Sequence, residues 1–224
     1  RGEYVDNVLF SPDGKWFALW SDYGARLWKF NELLEDQASQ PKELKGHDSY
    51  ISALAFSPDS NWLATSSYDE TTRLWNLASL HTGSAAESIL LSGHDRTVNT
   101  VAFSSDSNWL ISGANNLLLW NIQDLQNSPE VKPVILKGQR STVISAAFSS
   151  NGQWLVAGLS DGTIRVWSTT HLRSNPDSLP YVLRGHTRQV SGLTFSPDNS
   201  LLISASEDHT LLKWSLAELD SDAL

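Results

Sequence analysis

The chain contains no cysteine and no methionine. Without cysteine there is no disulfide scaffold, no thiolate metal site and no cysteine nucleophile. Without methionine there is no start residue, and Arg1 is an improbable native beginning, so the sequence reads as part of a longer chain. Positive charge is also scarce. Sixteen Lys and Arg stand against 25 Asp and Glu, a net charge of -9. That balance argues against nucleic-acid or anionic-membrane partners. No apolar run approaches the ~18 residues of a membrane span, and no signal peptide is visible. What the chain does have is tryptophan, ten of them in 224 residues.

The tryptophans are periodic. One series, Trp28, Trp75, Trp120, Trp167 and Trp214, is spaced by 47, 45, 47 and 47 residues. A Phe followed by Ser recurs in phase at Phe10, Phe56, Phe103, Phe148 and Phe195, with steps of 46, 47, 45 and 47. A Gly, usually followed by His, marks the repeat at Gly46, Gly93, Gly138 and Gly185. Gly to Phe is always 10 residues and Trp to the next Gly always 18, whereas Phe to Trp varies over 17–19. Two fixed lengths and one variable turn describe a single supersecondary unit copied in tandem. The repeats run approximately over 1–45, 46–92, 93–137, 138–184 and 185–224.

Inside each repeat, short β-branched runs such as 51–56, 98–103 and 190–195 end in a turn signal, for example Ser-Pro-Asp-Gly at 11–14 and Ser-Pro-Asp-Ser at 57–60. A second apolar run follows (62–65, 109–112, 154–157, 201–204). A third ends on the Trp, and a fourth (89–91, 134–136, 181–183) precedes the Gly. Four strands, apolar on both faces and without helical period, must stack on neighbouring sheets. Stacked about an axis, they form a β-propeller. The polar connectors at 33–41, 79–87, 124–133 and 170–180 keep a constant register and are read as ordered surface loops.

With five copies in phase over about residues 4–216, the chain resembles the WD-repeat family. The fold class is therefore all-β: a propeller of five four-stranded WD-repeat blades, an incomplete ring or a fragment of a larger one. The Asp that follows the Trp in the family is replaced by Lys29, Asn76, Asn121, Ser168 and Ser215. The resemblance implies a hydrogen-bonded tetrad in each complete blade. Two repeats carry all four members: His47, Thr65, Asp69 and Trp75, and His186, Ser204, Asp208 and Trp214. Repeat 3 has His94, Ser112 and Trp120 without the Asp. Repeat 4 has Gln139, Ala157, Asp161 and Trp167. Repeat 1 has Asp22 and Trp28, with Ala18 at the hydroxyl position.

A His, a hydroxyl and an Asp also describe a hydrolase triad. Here the set recurs with the repeat and ends on a Trp donor that needs a partner, so it is read as structural. No catalytic residue, metal site or cofactor is expected. A second series, Trp16, Trp62, Trp109 and Trp154, lies 6 residues after each Phe. It could form an aromatic binding stripe, but its strict tracking of the repeat favours a packing role.

The resemblance places partner binding on the face of the Gly-His loops. By position that face holds Tyr4, Asp6, Tyr50, Ser52, Tyr68, Thr97, Asn99, Thr142, Ile144, Gln189, Ser191 and Glu207, which vary among otherwise similar repeats as residues free of packing duty would. Arg96, Arg140 and Arg188 occupy the same loops in three successive repeats, either as a basic arc or as three solvated side chains. The expected role is a non-catalytic, cytoplasmic scaffold for a protein or peptide, without nucleic acid or membrane, completed by propeller blades not present here. The long connectors resemble the WD-repeat tails of multidomain bacterial signalling proteins, in which such a segment would act as a sensor for an attached catalytic module. A hydrolase using a propeller pocket is the remote alternative.

Overall fold

The structure, a computed structural model, describes residues 7–21, 24–34, 40–82, 87–128 and 130–220. Blade 1 comprises β1 (Asn7–Phe10), β2 (Trp16–Ser21), β3 (Gly24–Lys29) and β4 (Lys42–Leu44). Blade 2 comprises β5 (Ile51–Phe56), β6 (Trp62–Ser67), β7 (Thr72–Asn76) and β8 (Ser88–Leu91). Blade 3 holds β9 (Thr100–Phe103), β10 (Trp109–Gly113), β11 (Leu117–Asn121) and β12 (Val134–Leu136). Blade 4 holds β13 (Val143–Phe148), β14 (Trp154–Leu159), β15 (Ile164–Ser168) and β16 (Tyr181–Leu183). Blade 5 has three strands among the described residues, β17 (Val190–Phe195), β18 (Leu201–Ser206) and β19 (Leu211–Ser215). Every sheet is an antiparallel meander in chain order. The sheets pack side by side through their first strands, β5 on β9, β9 on β13 and β13 on β17, and do not close into a ring.

Burial on both faces explains the strand sequences. Four hydrophobic clusters among the described residues each straddle one seam between blades. Along β6, Trp62 and Ala64 face blade 3 while Leu63 faces blade 1. Every residue of β6 and of β14 is consequently buried. At each such site a large apolar side chain contributes about 1.5–3 kcal/mol relative to exposure. The outer blades lack one neighbour. Phe10 on β1 is half exposed, and Leu211 on β19 is 71% exposed.

The connectors after the third strand differ from the loops expected there. Short helices follow the Trp directly: α1 (Phe30–Leu34), a 3₁₀ turn at Ser79–Thr82, α2 (Ile122–Asn127), α3 (Thr169–Ser174) and α4 (Ala217–Asp220). The physical reason lies in the residues that replace the family's Asp. Asn121 Oδ1 accepts from the Asp124 amide at 3.1 Å, and Ser168 Oγ caps α3 from the His171 amide. Asn76 Oδ1 accepts from the Ala78 amide at 2.9 Å. Apolar residues one and four positions after the cap (Leu77 and Leu80, Ile122 and Leu125) turn inward and are buried.

These helical turns account for the second tryptophan series. Leu80 clusters with Trp16 of the preceding blade, Leu125 with Trp62, Leu172 with Trp109 and Leu219 with Trp154. The series is a run of seam anchors, not an exposed stripe: Trp16, Trp62 and Trp154 are buried. The tight turns before them also stitch the seams. Ser60 Oγ accepts from the Asp13 amide, Ser107 Oγ from the Asp59 amide, and Asn199 Oδ1 from the Ser150 amide, at 3.0–3.1 Å. Each acceptor residue sits in the left-handed region, with φ of 58–59°. No helix among the described residues is long and apolar enough to cross a membrane.

Candidate functional site

Two features at the Gly-His end of the strands carry candidate chemistry: the polar sets inside the blades and the mouth at the centre of the five sheets.

In blade 2 the loop before β5 brings His47 over β6, and the turn between β6 and β7 brings in Asp69. Asp69 Oδ2 lies 2.8 Å from His47 Nδ1, and His47 Nε2 lies 2.8 Å from Thr65 Oγ1. The Trp75 indole N–H donates to the same Thr65 oxygen at 3.0 Å. The proton order that satisfies every atom runs from Trp75 N–H to Thr65, from the Thr65 hydroxyl to His47 Nε2, and from His47 Nδ1–H to Asp69. Blade 5 repeats this with His186, Asp208, Ser204 and Trp214 at 2.7–3.0 Å. Burial pushes the Asp69 carboxyl up, but hydrogen bonds from Thr71, His47 and the Asp48 amide outweigh it and hold it at about 2. Burial also lowers His47, against the pull of Asp69.

The other blades are incomplete. In blade 3, Ser112 Oγ receives the Trp120 indole N–H and lies 2.7 Å from His94 Nε2. With no Asp opposite, His94 Nδ1 has no partner, and burial takes its pKa down to about 4. In blade 4, Gln139 donates to its own loop at Leu136 O, and both Gln139 Oε1 and Trp167 Nε1 are buried without a partner. In blade 1, Asp22 lies outside the described residues.

As a hydrolase triad the set fails on access. Thr65 and Ser204 are fully buried, and each hydroxyl oxygen is already engaged by a tryptophan. No substrate carbonyl reaches them.

The central mouth is a different environment. A cavity of about 440 Å³ opens there, lined by Trp20, Tyr50, Ile51, Ser52, Tyr68, Asn99, Ile144 and Gln189, with contributions from all five blades. Six of these, Tyr50, Ser52, Tyr68, Asn99, Ile144 and Gln189, are among the positions that the repeat pattern assigned to a partner-binding face. Tyr50 and Tyr68 are about half exposed and meet edge to face, with ring centroids 6.1 Å apart. The backbone joins the loops across blades 2, 4 and 5: Tyr68 N–H donates to Tyr50 O, Ser160 to Thr142 and Glu207 to Gln189. A recess of about 640 Å³ between blades 1 and 2 shares Tyr50 and Ile51 with the mouth and extends to Arg26, Glu43 and Lys45.

Several of these residues also have packing duty, contrary to the reading from their variability. Ser52 and Ile144 sit at breaks in the strand register, and so does Ser191. Such bulges re-aim a side chain. Ser52 Oγ donates to Val98 O of the next blade, and Asn99 Nδ2 donates to Val143 O at 2.8 Å. In blade 4, where Ile144 holds that position, Ser145 donates to Val190 O instead. Thr142 Oγ1 donates to Asn115, and Glu207 accepts from Gln189 at 2.6 Å. Thr97 is half-buried and Ser191 exposed. Tyr4 and Asp6 lie outside the described residues. Trp20 was not expected at the mouth, although it is the one tryptophan outside both periodic series.

Arg96, Arg140 and Arg188 are exposed on consecutive Gly-His loops, and none forms an ion pair among the described residues.

Residues 38–76, 87–121, 131–168 and 177–215 match the model of the family described as WD domain, G-beta repeat. The first three strands of the first sheet fall outside these matches, although that sheet has the same four-stranded order and its fourth strand, β4, lies within the first match. No curated protein matches the chain. Four family matches covering more than half of the chain, on blades with this strand order, place it in the WD-repeat family.

Proposed function

We propose that this propeller segment is a non-catalytic scaffold that binds a peptide or an exposed protein loop at the central mouth of its Gly-His face. WD repeats generally serve protein–protein interaction, and the complete polar sets of blades 2 and 5 are spent on holding their own blades. The observation that carries the reading is the convergence of six variable positions on one concave, aromatic-lined cavity. A cavity of that size, with exposed aromatic rings and a few polar groups, suits a peptide segment.

The exposed arginines of the neighbouring loops favour an acidic peptide. Arg96, Arg140 and Arg188 add exposed cations to an otherwise acidic chain, and a guanidinium binds carboxylates bidentately. Titration of a fluorescein-labelled hexaglutamate peptide tests this. Binding is expected to weaken with salt and to fall about tenfold in the Arg140→Ala/Arg188→Ala variant. Unchanged affinity in that variant would rule out the basic arc. Unchanged affinity in Tyr50→Ala/Tyr68→Ala would rule out the mouth.

A further inference from the structure

The seam between blades 3 and 4 breaks a rule that the other described seams keep. In each of those, a side chain in the left-handed turn position of one blade accepts a backbone amide from the turn of the preceding blade: Ser60, Ser107 and Asn199. At the seam of blades 3 and 4 that position is Gly152, with φ of 70° and no side chain to accept. A pocket of about 190 Å³ lies there, on the face opposite the Gly-His loops, with Trp109, Leu119, Phe148 and Leu172 among its walls. Trp109 is the one member of its series left half-buried. At the pocket's mouth, Arg173 Nη2 of blade 4 donates to Asp106 Oδ2 of blade 3 at 2.7 Å. The Arg173 side chain remains 53% exposed, so much of its donor fork faces solvent.

We propose that this pocket binds a small carboxylate carrying one aryl or branched alkyl group, either as a free acid or as the apolar C-terminal residue of a peptide. The volume fits one side chain and is well below the ~300 Å³ at which drug-sized sites begin. Aromatic and aliphatic walls take the apolar group. The carboxylate supplies the acceptor oxygen that Gly152 cannot, close to the open fork of Arg173. The site is separate from the central mouth, at the other end of the strands.

The probes are 3-phenylpropionate, the neutral 3-phenylpropanol, and acetyl-alanyl-phenylalanine with a free C-terminus. Binding is followed on the tryptophan indole N–H signals of the full chain by NMR. A saturable shift of the Trp109 signal is expected with 3-phenylpropionate, with the peptide, or with both, and the tighter of the two identifies the source. The alcohol should bind about tenfold more weakly. Gly152→Asn, which restores the acceptor as Asn199 does, should remove binding while keeping the fold; the one atom its Cβ would meet is the Ser105 hydroxyl at 2.8 Å, a side-chain end that can turn away. Arg173→Gln should bring the acid to the affinity of the alcohol. No saturable shift with either acid, equal affinity for acid and alcohol, or unchanged affinity in folded Gly152→Asn or in Arg173→Gln would overturn the proposal. Loss of hexaglutamate binding at the mouth leaves each of these readouts intact, so the two sites fail independently.

Discussion

Blades 2 and 4 share strand order, repeat length and a second strand buried on both faces, yet treat their buried polar atoms in opposite ways. In blade 2 the indole N–H of Trp75 enters a relay through Thr65 and His47 to Asp69. In blade 4 the same indole, on Trp167, meets Ala157 and has no acceptor, while Gln139 turns back on its own loop. Both tryptophans are almost completely buried. The shared packing therefore holds a blade in place without the relay. The relay adds stability and fixes the Gly-His loop against the turn between β6 and β7, where the rim residues Tyr50 and Tyr68 stand.

The comparison breaks most visibly at the middle of the relay. Thr65→Val keeps the shape but strips partners from both His47 and Trp75. At about 1–3 kcal/mol for each orphaned group, it should cost about 2–6 kcal/mol in urea unfolding. A smaller loss belongs to members whose neighbours keep other partners: without His47, Thr65 still accepts from Trp75, and Asp69 still accepts from Thr71 and the Asp48 amide. His47→Ala should cost about 1–3 kcal/mol, and clearly more than Gln139→Ala, because Gln139 already leaves its oxygen unsatisfied. Asp69→Asn should likewise lower the melting temperature more than Asp48→Asn or Glu70→Gln on the exposed loop and turn. Equal melting temperatures for these variants would remove the structural role assigned to the relay.

The comparison is sharpened from the other side by repair. Ala157→Ser gives Trp167 an acceptor and should stabilise by about 0.5–1.5 kcal/mol, the worth of one hydrogen bond. A further effect is in pH. His94 is held neutral down to about 4, against 6.5 ordinarily. The unfolded chain then binds a proton that the fold excludes, so stability falls as pH drops from 6.5 towards 4. Asp69, held at about 2, gives stability that is complete above 3.8 and fades only as pH falls towards 2. His94→Gln should therefore flatten the pH dependence of the melting temperature between 6.5 and 4 and leave the more acidic limb in place.

The propeller was legible because its spacings are fixed. Ten residues from Gly to Phe and 18 from Trp to Gly repeat only if one unit is copied, and the two apolar faces of each strand require neighbours on both sides. The relay members were legible from the same register. The short helices were missed because Asn76, Asn121 and Ser168 were compared with the family's Asp instead of being read as N-caps before apolar residues at one and four positions on. The seam stitches from Ser52, Asn99 and Ser60 were out of reach, since each joins residues 44–48 apart that only the stacking of sheets brings together. Gly152 looked like an ordinary turn glycine. The acceptor it lacks shows only against the three neighbouring turns.

The Gly-His end of the molecule combines a relay inside the blades with the mouth proposed to meet partners. Measuring melting temperature and hexaglutamate affinity together in two variants tests that assignment most directly. His47→Ala should lower the melting temperature and, below it, bind the peptide as the parent chain does. Arg140→Ala/Arg188→Ala should keep the melting temperature and lose about tenfold in affinity. A folded His47→Ala protein that no longer binds, or an arginine variant that binds as tightly as the parent, would contradict it.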